Sequence, residues 1–336
     1  MNDSSASPLT VADVSESEIL GRIFPRLPQS QATIVGPGDD CAVMSAPDSR
    51  FVITTDMMVQ GPDFRLEWST GHDLGIKAAS TNLADVVAMG AVPTGMVVSI
   101  AAPNSTRLSF LEDIADGLRE SCEQLAPGCG VVGGDLSVSD TLTLSVTAFG
   151  DLQGRAPLLR SGAQAGDVIA VAGDLGFAGV GLSELFAGKP VDRSRKSIRA
   201  QLAPLPPIGL GVVAAQAGAT SCMDISDSLV MDAGRIAQAS SVVMVLDESA
   251  LDDLAGHVAI ETGIDAASAR QAILFAGEDH ALLVTFQQEA DLPEGFRAIG
   301  HVEAVNEGEM AGVRLGKESI RESGWNPFTG WNGETS

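Results

Sequence analysis

The stretch LGIKAASTNLADVVAM, residues 74–89, predicts a long helix that is apolar over most of its surface. Helical spacing places Lys77, Thr81 and Asp85 on one flank of this helix, with Asn82 close by. A carboxylate in such an apolar segment is costly to bury unless a positive charge or a hydrogen-bond donor faces it. The stretch therefore predicts both a core element and one wall of a polar site.

Short acidic motifs recur along the chain where apolar runs end. Carboxylates crowded at strand ends repel one another, and the sequence offers few Lys or Arg residues near them. We therefore expect hard divalent cations held by oxygen ligands, and with them phosphate chemistry. Each motif alone is more often a turn or a helix cap, so the interpretation depends on their co-occurrence. The motifs are Gly38-Asp39-Asp40, Thr54-Thr55-Asp56, Gly133-Gly134-Asp135, Asp224-Ile225-Ser226-Asp227 and Gly277-Glu278-Asp279.

The composition indicates a folded, acidic protein. Of its 336 residues, 45% are apolar and 19% are charged, which argues against disorder, and the net charge of −24 disfavours nucleic acid and phospholipid headgroups as partners. No apolar run is long enough to cross a bilayer, and the N-terminus lacks the pattern of a signal peptide. The four cysteines show no Cys-x-x-Cys spacing. We expect a cytoplasmic protein.

Strand and helix patterns alternate, but several strands follow one another without a helix between them. We therefore predict an α/β protein built as α+β layers rather than one doubly wound parallel sheet. Turn residues at 150–155 predict a boundary between an N-terminal sheet-and-helix domain, 16–155, and a C-terminal α/β domain, 156–336. Residues 1–15 are predicted to be a disordered tail. Strands are predicted at 51–55, 95–101, 141–149, 168–172, 242–246, 281–286 and 298–302, with helices at 108–125 and 208–217.

Phosphoryl transfer requires in-line geometry and neutralisation of the charge on the donor oxygens. The chain has no P-loop motif and no His-Arg-Asp catalytic loop. A Ser-His-Asp arrangement stays open on residue order, although Gly-x-Ser-x-Gly is absent. Because Mg²⁺ takes only one or two carboxylates and keeps several waters, several ions need several separate carboxylates. The candidates are Asp40, Asp56, Asp85, Asp135, Asp224 and Asp227, with Thr54 and Thr55 as further oxygen ligands.

In combination the motifs resemble the thiamine-monophosphate kinase family, whose superfamily includes aminoimidazole ribonucleotide synthetase and selenophosphate synthetase. The forms GEDHAL, 277–282, and PLPP, 204–207, are similar to the actinobacterial branch. The segments that carry the resemblance are GPGDDCAV (36–43), TTDMMV (54–59), KAASTNLAD (77–85), AMGA (88–91), GGD (133–135), RSGA (160–163), MDISD (223–227), GED (277–279) and GW (324–325).

The resemblance implies two α/β domains and a homodimer whose N-terminal sheets meet. It also implies direct transfer of the γ-phosphoryl group of ATP to thiamine monophosphate with several Mg²⁺ ions and no acid–base side chain. The implied metal ligands are Asp40, Thr54, Thr55, Asp56, Asp85, Asp135, Asp224 and Asp227. The implied ATP contacts are Gly134, Asp135, Arg160 and Ser226, and the implied substrate contacts are Asp63, Glu278 and Trp325.

The sequence departs from the family pattern at three positions. Asp63 stands where the family usually has His, and Ser228 and Ala276 each replace a Gly. The altered Asp63 and Ser228 keep open the alternative of a non-catalytic Mg²⁺-nucleotide sensor. A second alternative is another ATP-dependent synthetase of the superfamily. For Trp325, stacking against the cationic, aromatic part of thiamine is the expectation, and a core role is the alternative.

Overall fold

The computed structural model describes residues 9–36, 42–288, 291–308, 310–321 and 324. Two predicted site residues, Asp40 and Trp325, lie outside these ranges. Within the described ranges, none of the helices combines the length and apolarity needed to cross a membrane.

The strands and helices are numbered in chain order. Strands β1 to β13 are Thr33–Val35, Val43–Met44, Val52–Val59, Val92–Ala102, Val131–Val138, Thr143–Asp151, Val168–Ala172, Ser221–Asp224, Val242–Leu246, Leu282–Phe286, Phe296–Ala304, Gly312–Leu315 and Glu318–Ile320. Helices α1 to α9 are Glu16–Ile23, Gly71–Ala88, Leu108–Leu125, Phe177–Phe186, Lys196–Leu202, Ile208–Gln216, Leu229–Ser240, Glu248–Thr262 and Ala266–Phe275.

A four-stranded sheet in the order β3-β6-β4-β5 organises the N-terminal half. Strands β4 and β5 are parallel, whereas β6 is antiparallel to both of its neighbours. Helix α2 covers one face of this sheet, and α3 packs on α2. The opposite face presents Phe51, Ile53 and Met57, each at least 56% exposed.

Helix α2 is almost completely buried, as its apolar sequence predicts. It begins at Gly71, three residues before the predicted start, because Thr70 and Asp73 form a capping box. Its crossing with α3 is close: a Cβ at Gly75 would lie 2.1 Å from the Ile114 carbonyl oxygen. Only glycine permits this approach.

A seven-stranded sheet in the order β13-β12-β9-β11-β7-β10-β8 organises the C-terminal half. It is antiparallel except where β12 pairs with β9. The two sheets and their helices confirm the prediction of α+β layers. One hydrophobic core contains residues of both halves, including Ala148, Ala170 and Leu282, because α2 also contacts α6 and β8. The division at 155/156 stays a prediction.

Three local features differ from the sequence prediction. The motifs Thr54-Thr55-Asp56 and Gly133-Gly134-Asp135 lie inside β3 and β5, respectively, rather than at the ends of apolar runs. The described part of the predicted tail is packed: Thr10 bridges to Arg107, and Val11 is buried. The apolar Val11 side chain accounts for this docking, since burying it against the core removes it from water.

Candidate active site

Strand β3 and helix α2 hold the first part of the site. Thr54 Oγ1 donates to Asp85 Oδ2 at 2.8 Å, and the Asp56 backbone N–H donates to Asn82 Oδ1 at 3.1 Å. Thr54 and Asp56 face α2 because side chains two apart on a strand share a face. Thr55 faces the other side of the sheet, where its hydroxyl donates to the Val146 carbonyl oxygen at 2.9 Å.

Strand β8 brings a third carboxylate to Asp56 and Asp85. Asp224 is buried at the end of β8, and α2 contacts this strand. Burial and the negative charges of Asp224 and Asp56 raise the pKa of Asp85 to about 7. We call Asp56, Asp85 and Asp224 the acidic cluster. The structure thus brings together carboxylates that are far apart in the sequence.

His280 faces the acidic cluster from the loop before β10. Its Nδ1 lies 3.3 Å from Asp224 Oδ2, and its backbone N–H donates to the Ile225 carbonyl oxygen at 2.8 Å. Burial disfavours the imidazolium, but the Asp224 carboxylate outweighs burial and raises the pKa of His280. His280 is therefore a basic partner of the cluster within the described chain.

Asp232 holds the loop between β8 and α7. Its Oδ2 accepts the backbone N–H groups of Ser226, Asp227 and Ser228 at 3.1, 3.0 and 3.2 Å. Arg235 binds Asp232 Oδ1 and also Asp227 Oδ2, each at 2.5 Å. Three N–H groups on one buried oxygen fix the path of the loop, and Asp227 is oriented by an ion pair.

A second pairing lies beside the acidic cluster. Lys77 Nζ is 2.7 Å from Glu278 Oε1, and Gln201 donates to the other oxygen of Glu278. Burial and the negative charge of Glu278 raise the pKa of Asp63, although the Val59 N–H group donates to its carboxylate. The structure thus brings the predicted substrate residues Asp63 and Glu278 together. Lys77, on α2, links this helix to the C-terminal half through Glu278.

The expectation that the acidic motifs lack basic partners is wrong for two of them. Arg235 pairs with Asp227, and Lys77 pairs with Glu278. Each partner was hidden for a simple reason. Arg235 lies within α7, eight residues after Asp227, and Lys77 lies some 200 residues from Glu278 in the sequence.

Tight backbone contacts close the site around the Asp227 loop. A Cβ at Gly277 would lie 2.6 Å from the Ser226 carbonyl oxygen, and one at Gly324 would lie 2.6 Å from the Asp227 carbonyl oxygen. Glycine is required at both contacts. Because Gly324 packs against this loop, the chain immediately before Trp325 reaches the site.

Four predicted residues do not join the acidic cluster. Asp135 and Gly134 lie on β5, and cross-strand register places Asp135 in one row with Met57, on the sheet face opposite α2. Three strand spacings separate β5 from β3, roughly 14 Å. Thr55 shares that opposite face. Arg160 lies at the other end of α7 from Ser226. Its carbonyl oxygen accepts from the Ser240 hydroxyl at the C-terminal end of this helix, whereas Ser226 precedes the N-terminal end.

Sequence reasoning missed Gln201, Asp232, Arg235 and the contact made by His280. Asp232 carried a usable signal, because an acidic residue in the first turn of a helix often binds preceding N–H groups. His280 follows directly on Glu278-Asp279, so its neighbourhood was predictable from the motif. Gln201 carried no signal, since its contacts are all far away in the sequence.

The donor set fits Mg²⁺. Burial, together with repulsion from the carboxylates on β3 and β8, raises the pKa of Asp85 on α2, and a divalent cation would relieve both effects. Among the residues that the structure describes, no three or more His, Cys, Asp or Glu side chains converge as a ready-made metal site. Mg²⁺ does not need one, because it retains waters and takes further oxygens from phosphates.

Comparison with known proteins agrees with this architecture. Residues 38–152 match the family described as AIR synthase related protein, N-terminal domain. The chain is 39% identical to a thiamine-monophosphate kinase of Mycobacterium tuberculosis over 322 residues, which cover 95% of this chain and 93% of the relative. It is 37% identical to that of Corynebacterium glutamicum, with 95% of each chain covered.

A solved structure of AaThiL complexed with AMPPCP and TMP has a TM-score of 0.74 to this fold. The identity is 29%, and the match covers 93% of this chain and 96% of that one. The predicted resemblance, including its actinobacterial character, is confirmed by these relatives. The chain belongs to the thiamine-monophosphate kinase family.

Proposed function

We propose that this protein transfers the γ-phosphoryl group of ATP to thiamine monophosphate and so makes thiamine diphosphate. The observation that carries the proposal is the acidic cluster beside the Lys77–Glu278 pair. The cluster suits cations with their phosphates. Beside it the two carboxylates of Asp63 and Glu278 outnumber the one Lys77 cation, which suits an organic cation. Membership of the kinase family supports the assignment, as does the related AaThiL structure with AMPPCP and TMP.

In this reaction a phosphate oxygen of thiamine monophosphate forms a bond to the γ-phosphorus of ATP. The bond from that phosphorus to the β–γ bridging oxygen breaks, and ADP leaves with the electron pair. The attacking oxygen is already ionised at neutral pH, so no side chain has to remove a proton. The chain contributes by positioning both phosphates and neutralising their charge.

Mg²⁺, when bound, supplies charge neutralisation at the phosphate oxygens. The protein orients the ligands: Thr54 holds Asp85, Asn82 holds the backbone at Asp56, and Asp232 orders the loop that carries Asp227. We assign the ions to Asp40, Thr54, Thr55, Asp56, Asp85, Asp135, Asp224 and Asp227.

We assign ATP to Gly134, Asp135, Arg160 and Ser226. The position of Ser226 just before α7 favours an anion, since helix N-termini present free N–H groups. Arg160 is exposed, and no carboxylate of the described chain forms an ion pair with it. We assign thiamine monophosphate to Asp63, Glu278 and Trp325.

A homodimer accounts for Thr55 and Asp135, two of the predicted residues outside the acidic cluster. The sheet face opposite α2 exposes Phe51, Ile53 and Met57 at 60%, 56% and 61%. An apolar patch of this kind favours burial against another copy. Two copies packed through this face would place Thr55 and Asp135 at the interface, where each approaches the partner rather than its own Asp56.

We also propose a cytoplasmic location, where ATP is available. Cys122, Cys129 and Cys222 are free and buried, which is typical of a reducing compartment.

Purified protein with ATP, Mg²⁺ and thiamine monophosphate tests the proposal, with chromatographic detection of thiamine diphosphate and an EDTA control. Metal-dependent diphosphate formation is expected. Asp56→Asn and Asp224→Asn should abolish it, whereas Asp253→Asn, an exposed carboxylate on α8, should not. Binding of ATP without product would favour the nucleotide-sensor alternative, and full activity in both site variants would refute the assigned site.

A further inference from the structure

Gln201 connects three parts of the molecule at the proposed substrate side of the site. It lies on α5 and is 5% exposed. Its Nε2 donates to Glu278 Oε2, and its backbone carbonyl oxygen accepts from Lys77 Nζ at 3.1 Å. Lys77 in turn holds Glu278 Oε1 at 2.7 Å. Lys77, Gln201 and Glu278 therefore form a closed ring of polar contacts.

The ring fixes a carboxylate on a constrained backbone. Glu278 has φ +67°, a region that non-glycine residues rarely adopt, and its N–H donates to the Ser226 carbonyl oxygen at 2.7 Å. Both carboxylate oxygens are held by donors from other elements. The direction of this side chain is consequently set by its partners rather than by its own rotamer freedom.

The orientation of the Gln201 amide leaves its oxygen without a hydrogen bond from the described residues. Its Oε1 is buried and has no hydrogen-bond partner in the described chain, whereas its Nε2 is directed at Glu278. Buried amide oxygens are normally paired, so leaving one unpaired is unfavourable. Rotating the amide would bring Oε1 against the Glu278 carboxylate, which is worse. The contact with Glu278 therefore determines the orientation of Gln201.

We propose that Gln201 is a positioning residue for the phosphoryl acceptor, acting by aiming the Glu278 carboxylate at the cationic heteroaromatic part of that substrate. The inference rests on the proposed function, because it assumes that Glu278 faces thiamine monophosphate. The polar contacts of Gln201 go to Glu278 and Lys77 rather than to the acidic cluster, so it influences binding of the acceptor and leaves ATP binding and phosphoryl transfer largely unchanged.

Gln201→Met removes the amide at similar volume, and Gln201→Glu replaces the donor by a repelling carboxylate at nearly identical shape. We expect KM for thiamine monophosphate to rise about tenfold in Gln201→Met and further in Gln201→Glu. KM for ATP should stay within about twofold and kcat within about threefold. The exposed Gln216→Met serves as the matched control and should change none of these constants.

A double-mutant cycle with Glu278→Ala separates positioning from general packing. If Gln201 acts through Glu278, adding Gln201→Met to Glu278→Ala raises KM no further. The proposal would be overturned if the two substitutions raised KM additively and did so equally for ATP and thiamine monophosphate. An unchanged KM for thiamine monophosphate in both Gln201 variants would also overturn it.

Calorimetric binding of thiamine monophosphate keeps this test independent of turnover. If the wild-type protein binds thiamine monophosphate without turnover, the proposed reaction fails, and weaker binding to Gln201→Met still supports the role of Gln201. If the wild-type protein shows no binding either, the role of Gln201 is refuted as well.

Discussion

Thr54 Oγ1 donates a 2.8 Å hydrogen bond to Asp85 Oδ2, joining the edge strand β3 to the last turn of helix α2. This contact opposes the effects that raise the pKa of Asp85 to about 7, namely burial and the charges of Asp224 and Asp56. Thr54 thereby favours the ionised form of a carboxylate that its surroundings would otherwise keep protonated.

Thr54→Val should lower kcat about tenfold or more, because Asp85 loses the donor that orients and ionises it. Valine has the same shape and a high strand propensity, so the fold should persist with a loss of about 1 kcal/mol. Steady-state kinetics measures the effect. Thr54→Ser should restore most of the rate, and Thr141→Val, at an exposed position before β6, should leave kcat unchanged. A fully active Thr54→Val would show that the hydroxyl does not serve Asp85.

Asp232→Asn should destabilise the protein by about 2–4 kcal/mol, because a buried carboxylate that accepts three N–H groups and pairs with Arg235 is lost. Urea unfolding measures this loss. Asp247→Asn provides the control, since Asp247 also accepts backbone N–H groups at the start of α8 but is exposed. The free energy of unfolding of Asp247→Asn should fall by less than about 1 kcal/mol. Equal effects of the two substitutions would contradict the role given to Asp232.

Gly133 and Gly134 should respond very differently to alanine. A Cβ at Gly134 would lie 2.0 Å from the Val98 carbonyl oxygen, whereas the nearest atom to a Cβ at Gly133 is a Val97 methyl carbon at 3.6 Å. Gly134→Ala should therefore cost about 3 kcal/mol or more by forcing β5 away from β4. Gly133→Ala should stay within about 1 kcal/mol. Thermal unfolding of the two variants measures this difference. Similar melting temperatures would show that β5 moves to accommodate the added methyl group.

The stability of the protein should fall as pH rises from about 4 to 7 through Asp279. Burial raises the pKa of this carboxyl to about 7, against the Gly176 and Ala178 N–H groups that favour its ionised form. Since the folded pKa lies above the unfolded one, the folded protein keeps a proton that the unfolded chain releases. Stability is then lost with rising pH, by at most about 1.4 kcal/mol per pH unit from this group.

Asp279→Asn isolates that contribution. Asparagine can still accept an N–H group at the start of α4, so the variant should match the wild type near pH 4 and exceed it in stability near pH 7. Urea unfolding at both pH values gives the comparison. A stability difference that does not depend on pH would mean that Asp279 ionises normally.

Ile53→Asp should weaken the proposed homodimer, because it places a charge in the centre of the exposed apolar sheet face. Sedimentation velocity across a dilution series measures the monomer fraction. Ile260→Asp is the matched control, since Ile260 is 82% exposed on α8, away from this face. A wild-type protein that stays monomeric at all concentrations would remove the homodimer proposal.

Much of the local structure followed from the sequence. Helix α3 and strands β7 and β9 have the predicted ends, because α3 keeps a helical hydrophobic period and the two strands are short continuous apolar runs. Helix α2 began earlier than predicted because its first turn is stabilised by the capping box of Thr70 rather than by apolar residues. The ordered set of motifs also identified the family, since each keeps its residue types in sequence.

The tertiary structure decided which of these motifs meet. Strand order placed Asp135 three strands from Asp56, and packing of α2 against both halves brought Lys77 to Glu278. Gln201 joined the site through contacts with residues far away in the sequence, which no local pattern contains. The physical reason is that periodicity and capping act over a few residues, whereas pairing of strands and burial of charges depend on the path of the whole chain. The sequence thus determined the side-chain types and the elements that carry them, and the fold determined their partners.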